Sequence, residues 1–142
     1  MSVITNIADS VVAELNAASL SQPLTAVRRF VPSFALTEMK DLHVTVGPKA
    51  IQVTKADRTR NTLDTQIDIA IQKKFDTGDP AEIDPLLDLV EEIADFFRLR
   101  RLVSYPAAHW MKTEHSPIYS QEHWDEMRQF TSVLTLTFRV VR

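Results

Sequence analysis

The stretch Asp64-Thr65-Gln66-Ile67-Asp68-Ile69-Ala70-Ile71-Gln72-Lys73-Lys74-Phe75 decides the fold. Ile67, Ile69 and Ile71 recur at every second position. Side chains alternate across a strand, so this spacing predicts a long strand from Asp64 to Phe75, with the isoleucines inward and Gln66, Asp68 and Gln72 outward. Upstream, Leu42, Val44 and Val46 alternate with His43 and Thr45, which predicts a half-buried strand. Gly47-Pro48 marks a turn, and Ile51 and Val53 begin a further strand. Between that strand and Asp64 lies Lys55-Ala56-Asp57-Arg58-Thr59-Arg60-Asn61-Thr62, polar, with three cations and no apolar anchor beyond Ala56. It predicts an exposed hairpin loop at about 55–63. The connection is too short for a helical crossover, so the flanking strands should pair antiparallel.

Working outward, Ile4, Ile7, Ala8, Val11, Leu15 and Ala18 fall at helical spacing and predict an amphipathic helix over about 4–19. Leu24 to Val31 reads as a strand interrupted by Pro32. Asp79-Pro80-Ala81-Glu82 is a helix start: Asp79 can cap, Pro80 suits the first helical position, and Glu82 can complete a reciprocal cap. The helix should reach about Arg101, about 33 Å at 1.5 Å per residue. Its carboxylates lie early and Arg98, Arg100 and Arg101 lie last, an order that suits the helix dipole. His109 to His115 reads as a strand, Ser116 to Asp125 as a loop or short turn, and Arg128 to Val141 as a strand with apolar residues on both faces, hence central or covered twice. The order is helix, four strands, helix, two strands. This predicts a single α+β domain over 1–142, a mostly antiparallel sheet with two main helices on one face.

The composition agrees. A chain of 142 residues, 44% apolar and 25% charged, is a domain's worth of ordinary globular sequence, not a disordered tail, a collagen-like repeat or a membrane-embedded chain. The net charge of −3 argues against a dedicated nucleic-acid binder held by phosphate contacts. The absence of cysteine excludes disulfides, thiolate zinc sites and cysteine nucleophiles. Only Gly47 and Gly78 are glycines, so no Gly-rich phosphate loop is present. Met1 to Leu20 has no Lys or Arg and does not read as a signal peptide, and no window approaches 18 apolar residues; the default expectation is a cytoplasmic chain without a membrane span.

Candidate chemistry is sparse. His109, His115 and His123, with Glu114 and Glu122, can be assembled on paper into a metal site, the basis of an alternative reading as a small metal-dependent hydrolase. Their spacing matches no ligand motif, and strand alternation puts His109 and His115 on one face but about 20 Å apart. The carboxylates Asp84 through Asp95 read as a solvated helix face. No serine has a nucleophile-elbow context. No enzyme activity, cofactor or metal is expected. Two other features point to assembly. On the second helix, Ile83, Leu86, Leu87, Val90, Ala94 and Phe97 form a core stripe. Leu89, Ile93 and Phe96 widen it beyond what one sheet face covers, so they are expected at a subunit interface. The loop cations Lys55, Arg58 and Arg60 are either a solvated tip or an arm that meets passing DNA or a neighbouring subunit.

The block Asp64 to Lys74, then Asp88-Leu89-Val90-Glu91-Glu92-Ile93-Ala94-Asp95-Phe96, then Arg128-Gln129-Phe130-Thr131-Ser132-Val133-Leu134-Thr135-Leu136-Thr137-Phe138-Arg139 resembles the tail-terminator or tail-completion proteins of tailed phages and prophages. The likeness covers about residues 5–142 and rests on strand and helix patterns, not on a catalytic signature. It implies a structural virion protein of the tail or neck, assembled in the host cytoplasm. It further implies a homo-oligomeric ring, commonly a hexamer, that caps the tail tube, meets the head connector and lets DNA pass through its lumen without sequence readout. Ring closure needs a heterologous contact. Asp88 and Glu92 are expected to face Arg98 and Arg101, or the loop cations, of the next subunit. A monomeric host adaptor that binds a partner through the same apolar surface is the remaining alternative.

Overall fold

Strand β3 (Asn61–Lys74) forms the middle of a five-stranded sheet in the computed structural model, which describes residues 2–30 and 41–142. The full order is α1 (Val3–Ala17), β1 (Ala26–Arg28), β2 (His43–Lys55), β3, α2 (Pro80–Phe97), β4 (His109–His115), α3 (Gln121–Met127) and β5 (Gln129–Val141). Across the sheet the strands run β1-β2-β3-β5-β4. Only the short β1–β2 pair is parallel. The α+β class and the mostly antiparallel sheet agree with the alternation in the sequence. The expected strand at Leu24–Val31 is realised as Ala26–Arg28; Val31 and Pro32 lie outside the described residues.

Ile67, Ile69 and Ile71 are fully buried and stand opposite Leu136, Leu134 and Ser132 of β5. With Val44 and Val46 of β2 they make one apolar face, and both long helices contribute to the same core, α1 against β1–β3 and α2 against β5. The opposite face carries Asp64, Gln66 and Asp68 of β3 facing Arg139, Thr137 and Thr135 of β5. Strand β5 is interior, as its two-sided apolar pattern requires.

Two features refine the expected element list. The stretches 42–46 and 51–53 run together as the single strand β2, because the ladder to β3 continues through an irregularity between Pro48 and Ala50. Pro48 has no N–H to give the ladder, and the extra residue Lys49 is accommodated as a bulge. The segment 116–125, read as a loop or turn, contains the start of α3, whose first turn is capped by the His123 N–H donating to Ser120 Oγ at 3.3 Å.

Helix α2 starts at Pro80 as expected, with a different cap. Asp79 makes no side-chain cap bond, and Glu82 instead accepts from the Asp76 N–H at 2.6 Å and the Thr77 N–H at 3.3 Å. The helix stops at Phe97 rather than near Arg101. Leu99 takes φ +60°, the left-handed position that ends many helices and that glycine usually occupies.

Candidate functional site

The widened stripe of α2 is not an exposed surface. Leu89 and Ile93 are both 0% exposed, so their expected place at a subunit interface is corrected: they are core residues of this chain. They belong to the core cluster shared with the sheet and the first helix. The segment after α1 lies along α2, with the Ser21 N–H and hydroxyl on the Glu92 carboxylate and Gln22 Nε2 donating to the Pro85 carbonyl at 3.2 Å; Leu20 and Leu24 pack onto the core beside it. A helix flanked by both a sheet and a crossing segment buries a wider arc than one sheet face requires. Phe96 is half-buried, edge-on to Phe97 with ring centroids 5.0 Å apart.

Of the expected interface charges, Asp88, Arg98 and Arg101 are exposed, and Glu92 is half-buried by its bonds to Ser21. The hairpin loop lies where the sequence places it, as a tight turn over 56–60 between β2 and β3. Asp57 organises it. Its carboxylate accepts from the Thr59 and Arg60 N–H groups, each at 2.9 Å, and from Arg60 Nε at 2.7 Å. The Thr59 N–H and the Arg60 guanidinium hold the Asp57 carboxyl down to about 2. Arg60 is thereby turned back into the loop. Lys55 and Arg58 are exposed and, among the described residues, form no ion pair.

The histidines do not converge. A register shift between Trp110 and Lys112 reverses the alternation along β4, so His109 stands opposite Arg139 while Trp110, Thr113 and His115 stand opposite Phe138, Leu136 and Leu134. His109 and His115 are therefore on different faces, not on the one face that unbroken alternation predicts. Trp110 Nε1 donates to Thr113 Oγ1 at 2.9 Å, a contact that requires this bulge to put both on one face. His115 Nε2 and Ser132 Oγ share a hydrogen bond at 2.5 Å, and burial pushes the His115 imidazole below its ordinary range. His123 Nδ1 and Thr131 Oγ1 are 2.8 Å apart. Ser132 and Thr131 are consecutive residues of β5 and point to opposite sides. Among the described residues no three His, Asp or Glu side chains gather as a metal site would need, and no helix is long and apolar enough to cross a membrane.

The structure gives the Arg98–Arg101 end, expected at a subunit interface, a form that the sequence pattern did not show. In the turn that leaves α2, Arg100 and Leu102 point inward while Arg98, Leu99, Arg101 and Val103 point out, with Leu99 79% and Val103 75% exposed. Arg100 is anchored twice, with Nε on Glu14 Oε1 at 3.0 Å and its guanidinium 4.1 Å from the centre of the Phe96 ring. The alternation of arginine with Leu99, Leu102 and Val103 was the available signal. Extending the helix to Arg101 hid it, since on a helix these residues would have spread around the axis.

No known family model matches the chain, and no curated protein matches it.

Proposed function

We propose that this chain is a structural virion protein of the tail-terminator or tail-completion kind, a subunit of a ring that caps the tail tube and helps join tail to head while DNA passes through the lumen. The reading rests on the family resemblance and on one observation. Strand β2 is thirteen residues long, and among the described residues β1 covers only Val44–Val46 of it. The far half is a sheet edge with Ile51 and Val53 displayed, 43% and 59% exposed, Lys49 and Lys55 at its two ends, and the basic turn beyond. A long sheet edge with apolar side chains is a template for another chain, and flanking lysines limit promiscuous pairing. Such a surface belongs to a protein that works by being covered by its neighbours. Lys55 and Arg58 then supply positive charge for passing phosphates without sequence readout.

Light scattering over a concentration series with negative-stain imaging tests this. The expected species is a closed ring of about six times 16.2 kDa with a central hole, alone or on the end of a purified tail tube. A chain that stays monomeric in solution and leaves tail-tube ends bare overturns the reading.

A further inference from the structure

The turn Arg98–Val103 combines three properties seldom found together. It is strained: a leucine at φ +60° carries a Cβ penalty that glycine would avoid. It is held firmly, through the Arg100 N–H on the Phe97 carbonyl at 3.1 Å, the Arg100–Glu14 ion pair, the buried Leu102 and the backbone bridge from Arg101 to His109. And what it holds out is apolar and basic: Leu99 and Val103 with Arg98 and Arg101, neither arginine ion-paired among the described residues. Strain kept in an over-determined turn, with a large apolar side chain in solvent, marks a recognition feature.

Its complement lies on the same helix. Asp88, Glu91 and Asp95 are exposed on successive turns of α2 and line a groove with Ser21 and Gln22. None of these carboxylates meets a cation among the described residues. From Asp88 to Phe97 the helix advances about 14 Å, and although Arg98 follows Asp95 by only three residues, the two form no ion pair among the described residues. A surface that carries its own complement at a fixed offset is satisfied by the next copy, knob into groove, which is the heterologous contact that closes rings.

We infer that the Arg98–Val103 turn docks onto the acidic groove between α2 and the Ser21–Gln22 segment of a second copy of this chain. The inference deepens the ring reading and rests on it. Sedimentation of the full chain up to millimolar concentration tests it with four samples: the wild type, Leu99→Gly, the pair Arg98→Glu/Arg101→Glu, and the pair Asp88→Lys/Glu91→Lys. Leu99→Gly should melt higher than the wild type yet dissociate about tenfold or more at equal concentration, a loss of apolar anchoring that a purely structural leucine would not produce. Each charge-reversed pair should be monomeric, and mixing the two pairs should restore association, because each then supplies what the other lacks. A wild type that stays monomeric at millimolar concentration overturns the docking. Rings that persist unchanged in all three variants also overturn it, while leaving the ring itself standing.

Discussion

Asp64 and Arg139 face each other directly across the β3–β5 ladder and are joined by two hydrogen bonds, Nε to Oδ1 at 2.8 Å and Nη2 to Oδ2 at 3.1 Å. The pair ties two long neighbouring strands together on the face away from α1 and α2. Fork-to-fork geometry of this kind adds register as well as energy.

The Arg139 guanidinium holds the Asp64 carboxyl below the ordinary carboxylate range. A depressed folded value contributes stability that is present above the unfolded value, near 3.9, and is lost as pH falls through the lower folded one. The urea midpoint of the wild type should therefore exceed that of Asp64→Asn at neutral pH, and the difference should close below about pH 4. A difference that stays constant across that range would show that the pair is not its source.

His115 acts in the same direction as Asp64, in a higher pH range. Its folded imidazole titrates lower than the unfolded one, near 6.5, so between the two values the unfolded chain binds more protons. Stability should fall as pH drops from about 7 through that window, and His115→Gln, which can still bond to Ser132, should flatten the profile there. Denaturation midpoints at closely spaced pH values give the comparison, and the imidazole resonances of His115 give the titration directly.

Leu89→Ala should cost about 2–5 kcal/mol, the range for truncating a buried leucine where the surroundings only partly collapse. The readout is chemical denaturation of the isolated chain. A change below about 0.5 kcal/mol, the size of a surface substitution, would return Leu89 to the surface role that the width of its stripe first indicated.

Gly47→Ala tests how closely the strand approaches the segment beside it. A Cβ at Gly47 would lie 2.7 Å from the Arg29 carbonyl oxygen, a backbone atom that cannot swing away. Overpacking of this kind costs about 1–3 kcal/mol, and a thermal melt of the variant should be lowered accordingly. An unchanged melting temperature would mean that the two segments can separate freely.

Much of the architecture was legible in the chain because it depends on local pattern. Alternation at Ile67, Ile69 and Ile71 sets the inward face of β3 wherever the strand is placed, and Asp79-Pro80 starts a helix through its own backbone limits. The hairpin turn followed from a polar run too short to do anything else. The candidate surfaces were only half legible. Lys55, Arg58 and Arg60 were recognisable as exposed, whereas the pairing of Arg60 with Asp57, a neighbour three residues away, was not.

What tertiary structure alone decided are the properties that depend on a distant neighbour. Whether Leu89 and Ile93 face solvent or core depends on the sheet strands and first helix that supply the rest of their core cluster. Which face His109 takes depends on one bulge against β5, since a shift by one residue reverses every side chain beyond it. Leu99 stands in solvent because Arg100 is captured by Glu14 of the first helix, and that contact spans 86 positions of sequence. Periodicity determines which residues share a face. Only the packed chain determines whether that face meets its own core, another copy or water, because burial is a relation between segments and not a property of one.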